Sequence, residues 1–248
     1  STAPRHTPLK WFLGGYFFSQ VAPVKQTTRF GEDAQLTGAP DNNFSLINTS
    51  RTKGWGAALY GQLRYAISPK VVFTGGLRYD WEKRKQWILG EYQKDPDPAP
   101  LYAYQSDTLA MANFSALSPK LTIAFSPTEK QMLYVSYGRG FRSGGLTALS
   151  SDPSQPALYP FRPEFSNNIE AGWKQVYADQ RMNINLALFY SFVKDVQVPT
   201  LVMPEAITIT RNTGQLVSKG VEAGISYLLS NGISIDYNFG YTHAQYNN

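Results

Sequence analysis

Few residues in this chain could make or break bonds, and they are not placed to do so together. His6 and His243 are the only histidines, and cysteine is absent. Histidine-based metal or triad chemistry, thiolate chemistry and disulfides therefore lack material. Gly138-Arg139-Gly140-Phe141-Arg142-Ser143 begins like a dinucleotide-binding turn, but serine stands where the third glycine is needed. Asp95-Pro96-Asp97-Pro98 brings two carboxylates together. No further oxygen ligands follow at calcium-binding spacing, so the segment reads as a stiff acidic loop. No metal, no cofactor and no enzymatic activity are expected.

Binding chemistry is better supplied. Arg139, Phe141, Arg142, Tyr159, Phe161 and Arg162 lie in and beside the segment Gly140–Phe165. Guanidinium groups and aromatic faces suit anionic or aromatic ligands, by charge pairing and stacking. The plainer reading is packing within the loop. A second set, Arg64, Arg78, Asp80, Glu82, Lys120, Glu170, Lys174 and Glu222, recurs at alternate positions opposite apolar side chains. These charges either meet a ligand or an inserted domain, or pair laterally across neighbouring strands, which the close spacing in a sheet makes easy. Lateral pairing is the expectation.

Strands must carry these residues. In Arg181–Val193, Met182, Ile184, Leu186, Leu188, Tyr190 and Phe192 form one apolar row, and Asn183, Asn185, Ala187 and Ser191 alternate with them. Side chains of a strand point to opposite faces, so this segment has a greasy face and a small, polar face. Its length suits the ~9–11 tilted residues that cross a bilayer rather than the ~5–6 of a typical soluble strand. Similar period-two segments occupy Leu9–Gln20, Lys53–Ile67, Lys70–Arg84, Leu117–Phe125, Gln131–Arg139, Asn168–Tyr177, Ser218–Leu228 and Ile233–His243. Tight turns at Ser68-Pro69, Ser126–Lys130, Val176–Gln180 and Ser230–Gly232 alternate with long connections at Val21–Thr52, Lys85–Ala116, Gly140–Phe165 and Asp195–Val217. Short turns on one rim and long loops on the other describe an antiparallel barrel of the membrane type.

Composition agrees. Aromatic residues reach 14%, and mean hydropathy is −0.32 with no long apolar run, which excludes a transmembrane helix. The net charge of +5 is scattered, giving no basic patch for nucleic acid. Alternation alone does not say which face is outside, since lipocalin-like barrels and sandwiches turn the apolar row inward. Apolar-out is favoured by the Gly, Ser, Thr and Asn of the opposite row. It is favoured too by strand length and by Trp11, Trp55, Trp81, Trp173 and Tyr241, placed as interfacial girdles would require. The fold class is all-β, an antiparallel transmembrane β-barrel.

Several motifs then carry a family resemblance. Phe114–Lys120, Leu133–Gly145 with its Tyr137-Gly138-Arg139-Gly140-Phe141-Arg142-Ser143-Gly144-Gly145, Arg162-Pro163-Glu164, and Asn168–Lys174 follow in order. Arg211-Asn212-Thr213-Gly214 then precedes Lys219-Gly220-Val221-Glu222, and Gly75–Asp80 stands upstream. Together they resemble the barrel of TonB-dependent outer-membrane receptors. The resemblance implies about nine strands of a 22-stranded barrel, residues 1–248 forming part of the barrel domain, with the plug domain and the last strands outside the chain. It implies a bacterial outer-membrane location, a TonB complex engaged through the plug, contact with lipid and lipopolysaccharide, and active import of a scarce ligand. A ferric siderophore is the leading cargo. Cobalamin, haem or an oligosaccharide are alternatives, as are a passive porin, an adhesion barrel or a soluble lipocalin-like binder.

Overall fold

The computed structural model describes residues 8–146, 160–177, 181–202, 207–230 and 232–247. Its strands are β1 (Leu9–Phe30), β2 (Phe44–Ser68), β3 (Val71–Lys94), β4 (Tyr102–Thr128), β5 (Gln131–Arg142), β6 (Gly145–Leu146), β7 (Pro160–Phe161), β8 (Glu164–Tyr177), β9 (Met182–Val202), β10 (Ile207–Ser230) and β11 (Ile233–Asn247). Nine of them make one up-and-down antiparallel sheet in the order β1-β2-β3-β4-β5-β8-β9-β10-β11, and β6 and β7 form a small clip of their own. Within the large sheet each strand pairs with the one before it in that order, because a hairpin is the shortest way to satisfy backbone groups.

The alternation read from the sequence sets the faces. On β2, Gly54, Gly56 and Ala58 are buried while Trp55, Ala57 and Leu59 between them are exposed. The exposed row continues across the sheet through Leu59 (60% exposed), Ile123 (53%), Val135 (56%), Leu188 (56%) and Ile235 (55%). This apolar band is far larger than a water-facing surface carries. The apolar row therefore turns outward, opposite to a lipocalin or sandwich. No helix among the described residues is long and apolar enough to cross a membrane.

Three of the long connections are mostly strand. β1 runs on to Phe30 and β2 starts at Phe44, β3 runs to Lys94 and β4 starts at Tyr102, and β9 and β10 extend to Val202 and from Ile207. The expected loops at Val21–Thr52, Lys85–Ala116 and Asp195–Val217 are thus corrected to tall hairpins. Beyond the apolar band both faces lose strict alternation, so periodicity fades although the backbone keeps its ladder. The fourth, Gly140–Phe165, is a long connection as expected, with residues 147–159 outside the described set.

The tall hairpins have their own core on the inner side. Phe30 stacks on Phe44 (4.5 Å between ring centres), Phe44 on Tyr92 (5.2 Å) and Tyr92 on Tyr102 (4.9 Å), one ring from each of four strands. A 3₁₀ turn, Ala34–Thr37, folds over this column, and Ala34 and Ala39 join its buried cluster. The Lys94 ammonium donates to Asp41 and to the Asn42 carbonyl (3.0 Å), and the Tyr92 hydroxyl donates to Asp41 (3.1 Å). The Lys94 contact, ahead of a hydrogen bond from the Asn42 backbone, holds the Asp41 carboxyl below its usual 3.8. Burial, reinforced by the Asp41 contact, pushes the Tyr92 phenol up to about 12.

On the opposite flank the β9–β10 hairpin bends. Asp195 (φ 55°) and Gly214 (φ 48°) both occupy the left-handed region and face each other between the pairs Lys194–Gln215 and Val196–Thr213. Past the bend, Ile209 enters one buried cluster with Leu146 of β6 and Ile88 of β3. That cluster joins hairpins that stand five strands apart in the sheet.

Two outcomes follow from these contacts. Gly214→Ala would force Cβ to 2.4 Å from the Asn247 carbonyl in a backbone conformation costing an L-residue about 1–2 kcal/mol. Its thermal midpoint in detergent should fall, whereas Gly138→Ala, with nothing within 4 Å, should leave it unchanged. The Asp41–Lys94–Tyr92 cluster should stabilise the outer hairpins between pH about 4 and 10. As pH falls below 3.8 the unfolded carboxylate takes up a proton while the folded one stays ionised, and stability drops until the folded Asp41 is protonated too. Between 10 and about 12 the folded state keeps a proton that the unfolded phenol has released, and stability drops again. Amide exchange at residues 41–46 across pH, compared with Asp41→Asn, reads both limbs.

Candidate functional site: the inner face and the outer mouth

All eight charged residues expected on the polar row share the inner face, as the registers from β2 to β10 require. Their pairing differs from the cross-strand expectation. Arg78 holds Asp80 in a fork on the same strand, with Nε 2.9 Å from both carboxylate oxygens and Nη2 2.6 Å from Oδ1. Arg84 likewise meets Glu82 at 3.3 Å. Residues two apart on one strand share a face, and long arginine side chains reach along the strand as readily as across it. The Arg78 guanidinium also lies 5.8 Å from the Tyr16 and Tyr60 ring centres, between β1 and β2.

Glu170 accepts from the Tyr134 hydroxyl, and the Lys174 ammonium sits 5.7 Å from the same ring's centre. These two, with Tyr134, Asn185, Glu222 and Asn238, border a polar hollow of about 520 Å³. Gly172 makes room for Tyr134, because a Cβ there would meet the ring at 2.4 Å. Among the described residues Arg64, Lys120 and Glu222 form no ion pair. No three Asp, Glu or His side chains among the described residues come together as metal ligands. The inner face offers charges and hydrogen-bonding groups to a polar surface.

At the outer mouth the loop candidates divide into two groups. Arg139 and Phe141 fall on the outward row of β5, in line with Val135 and Tyr137. There the Arg139 guanidinium stacks 4.2 Å from the Phe165 ring centre, and Phe141 packs on the same ring at 5.6 Å. They face away from the mouth, because one odd–even step on a strand reverses direction. Arg142, Phe161 and Arg162 gather on the other side, and Tyr159 lies outside the described residues. Arg142 stands 4.0 Å from Glu164. Phe161 packs on the backbone of Gly144 and Gly145, where any Cβ would come within 2.4 Å of neighbouring atoms.

Arg162 is the centre of a knot that motif reading alone missed. Its Nη2 donates to Asp195 at 2.6 Å, its backbone N–H donates to Asn212 Oδ1 at 2.5 Å, and its carbonyl accepts from Asn212 Nδ2 (2.9 Å) and Gln197 Nε2 (3.0 Å). Asn212 Nδ2 also donates to the Asp195 carbonyl (2.8 Å), and Gln197 Nε2 to that of Ser143 (3.0 Å). Gln197 is 6% exposed. This network ties the loop after β5 to the bend of β9–β10 and over-determines the left-handed Asp195. The Asn212-Thr213-Gly214 motif was its visible signal, but partners 50 residues away in sequence were not readable from it. Both arginines keep most of their side chains in solvent, Arg142 at 66% and Arg162 at 72%, so each can still meet a solute.

The family model for the TonB dependent receptor-like β-barrel matches residues 5–248. The ferric yersiniabactin uptake receptor FyuA from Yersinia pestis superposes with a TM-score of 0.67 at 18% identity, over 97% of this chain and 37% of FyuA. The siderophore receptor PiuA from Acinetobacter baumannii gives 0.67 at 17% identity, over 97% of this chain and 36% of PiuA. The Serratia marcescens hemophore receptor HasR gives 0.58 at 18% identity, over 94% of this chain and 43% of HasR. The chain thus spans well under half the length of these receptors, and at such identities they establish the fold alone. An outward apolar row, an inward charged row and a family model matched almost end to end lead to one assignment: the chain belongs to the TonB-dependent receptor-like β-barrel family.

Proposed function

We propose that this chain forms part of the wall of a bacterial outer-membrane receptor that imports a scarce ligand, most fittingly a ferric siderophore, by TonB-driven rearrangement of a plug domain. The observation that carries the reading is the inside-out sheet: an apolar band facing outward at bilayer height and a charged, aromatic-flanked face turned inward. A water-filled lumen needs that distribution, and a soluble domain cannot tolerate it. The inward row, with Arg78–Asp80 and the hollow beside Glu170 and Glu222, is the surface on which the plug rests. Arg142 and Arg162 at the mouth offer charge to an anionic chelate, with Phe161 beside them. The similarity to siderophore and hemophore receptors supports iron-bearing cargo.

The test is uptake of radiolabelled iron by cells lacking the full-length gene and complemented with it. Ferric-siderophore uptake should vanish on deletion, return on complementation and require an intact TonB system. Restoration of cobalamin, haem or oligosaccharide uptake instead would replace the cargo, and TonB-independent leakage of small solutes would replace the receptor reading with a porin. In the complemented cells Arg162→Ala should raise the half-saturating ligand concentration about tenfold, the worth of one charge-assisted contact. Asp195→Asn, which removes the intramolecular partner and leaves the guanidinium, should raise it far less. Equal losses in both variants would reduce Arg162 to a loop-packing residue.

A further inference from the structure

The aromatic column beneath the 3₁₀ turn leaves one side open. Phe30, Phe44, Tyr92 and Tyr102, joined by Tyr104 and Leu46, line a pocket of about 180 Å³ on the inner side of the β1–β2 and β3–β4 hairpins. Phe44 and Tyr92 are buried, whereas Tyr102 and Tyr104 keep 55% and 39% of their surface exposed. A hairpin core built for stability alone would bury those two rings as well. Both are held in place instead. Gly90 leaves room for the Tyr104 ring, which a Cβ would meet at 2.7 Å, and the Tyr104 hydroxyl donates to Asn48. Successive rings of the column lie within 21° of parallel, and Tyr102 ends the stack.

Size and polarity identify the occupant. An apolar-walled cavity of about 150 Å³ takes up one benzene molecule. This pocket therefore holds one ring with a small substituent, and not a whole chelate. Its polar edge is the Asp41–Lys94 pair. Pro40, which completes the lining with Ala39, precedes Asp41 in the chain, and the Tyr92 hydroxyl donates to that carboxylate. Lys94 directs two of its three N–H groups to Asp41 and the Asn42 carbonyl, and one remains. Asp41 accepts from Lys94, Tyr92 and the Asn42 backbone, which leaves roughly one of its four lone-pair positions. Both side chains are partly exposed. A spare donor beside a spare acceptor matches a hydroxyl group, which gives one hydrogen bond and takes another. Tyr92 shows that this carboxylate already satisfies a phenol. A bare anion would gain the ammonium only by meeting the carboxylate next to it.

We propose that this pocket receives a hydroxyaryl group carried by the imported ligand, its ring against Tyr102 and Tyr104 and its hydroxyl on Asp41 and Lys94. The proposal rests on the import reading and narrows the cargo to a chelate with phenol-type ends. The experiment titrates the full-length detergent-solubilised receptor with 4-fluorophenol and with 4-fluoroanisole, followed by fluorine NMR. The two probes share a ring, and methylation removes the donor. Parent protein should bind the phenol saturably and about tenfold more tightly than the ether, the worth of a hydrogen bond to a charged group. Asp41→Asn should cut that preference to about threefold or less. Tyr102→Ala, at an exposed position, should weaken both probes about fivefold. Ala39→Trp, which fills the pocket, should abolish saturable binding, with heat-modifiable gel mobility reporting that each variant remains a folded barrel. Equal affinity for phenol and ether, or unchanged binding in both Tyr102→Ala and Ala39→Trp, would overturn the assignment. In complemented cells 4-fluorophenol should inhibit ferric-ligand uptake by the parent. Saturable binding without inhibition would take the hydroxyaryl group off the cargo and overturn the proposal. Failure of the import reading would look different, with probe binding intact and no TonB-dependent uptake to inhibit, and the cargo assignment would fall with it.

Discussion

Backbone pairing in a medium without water is the constraint from which the rest of this structure follows. An N–H or C=O left unpaired in hydrocarbon costs several kcal/mol, so a chain that crosses by strands must pair every one of them with a neighbour. The sheet does this with nearest-neighbour hairpins throughout, and its strand order never jumps except where the β6–β7 clip branches off. The same constraint marks β1 and β11. Both carry exposed apolar side chains and a free edge, so each demands a further strand when the sheet stands in a bilayer.

Once pairing fixes the strands, period two fixes the chemistry. One row meets lipid and is free to be Leu, Ile, Tyr and Trp. The other must fit a crowded concave surface, which explains both the small residues at Gly54, Gly56 and Ala58 and the charges that neutralise one another along β3. Above the membrane the ladder persists while the requirement on side chains changes. There the hairpins hold together by their own cores, the four-ring column on one flank and the Ile88–Leu146–Ile209 cluster on the other. The bend at Asp195 and Gly214 and the knot around Arg162 let the second flank reach the first across the mouth.

Strands within the bilayer were legible because lipid on one side and polar groups on the other impose alternation without exception; Arg181–Val193 appears as β9 almost to the residue at its inner end. The outer hairpins were not legible as strands. Thr27, Thr28, Asn48 and Thr49 face water or one another there, and their alternation carries no contrast. The eight charges share one face of the sheet, but their partners were not legible, since i to i+2 pairing along β3 and cross-strand pairing draw on the same residues. At the mouth the motif Asn212-Thr213-Gly214 announced a special backbone, and only the fold revealed that Arg162 and Gln197 complete it. Arg139 and Phe141 show the opposite limit, where one residue of parity separates a mouth-facing side chain from an outward one.

The claim on which all else depends is that the apolar row faces lipid and the polar row faces water. Spin labels placed one at a time from Asn185 to Ser191 in the full-length receptor, reconstituted in bilayers, test it directly through collision with oxygen or with a water-soluble nickel chelate. The account predicts strict alternation, oxygen-rich at Leu186, Leu188 and Tyr190 and nickel-rich at Asn185, Ala187 and Ser191. Reversed phase, or uniform access to the nickel chelate along the strand, would contradict it.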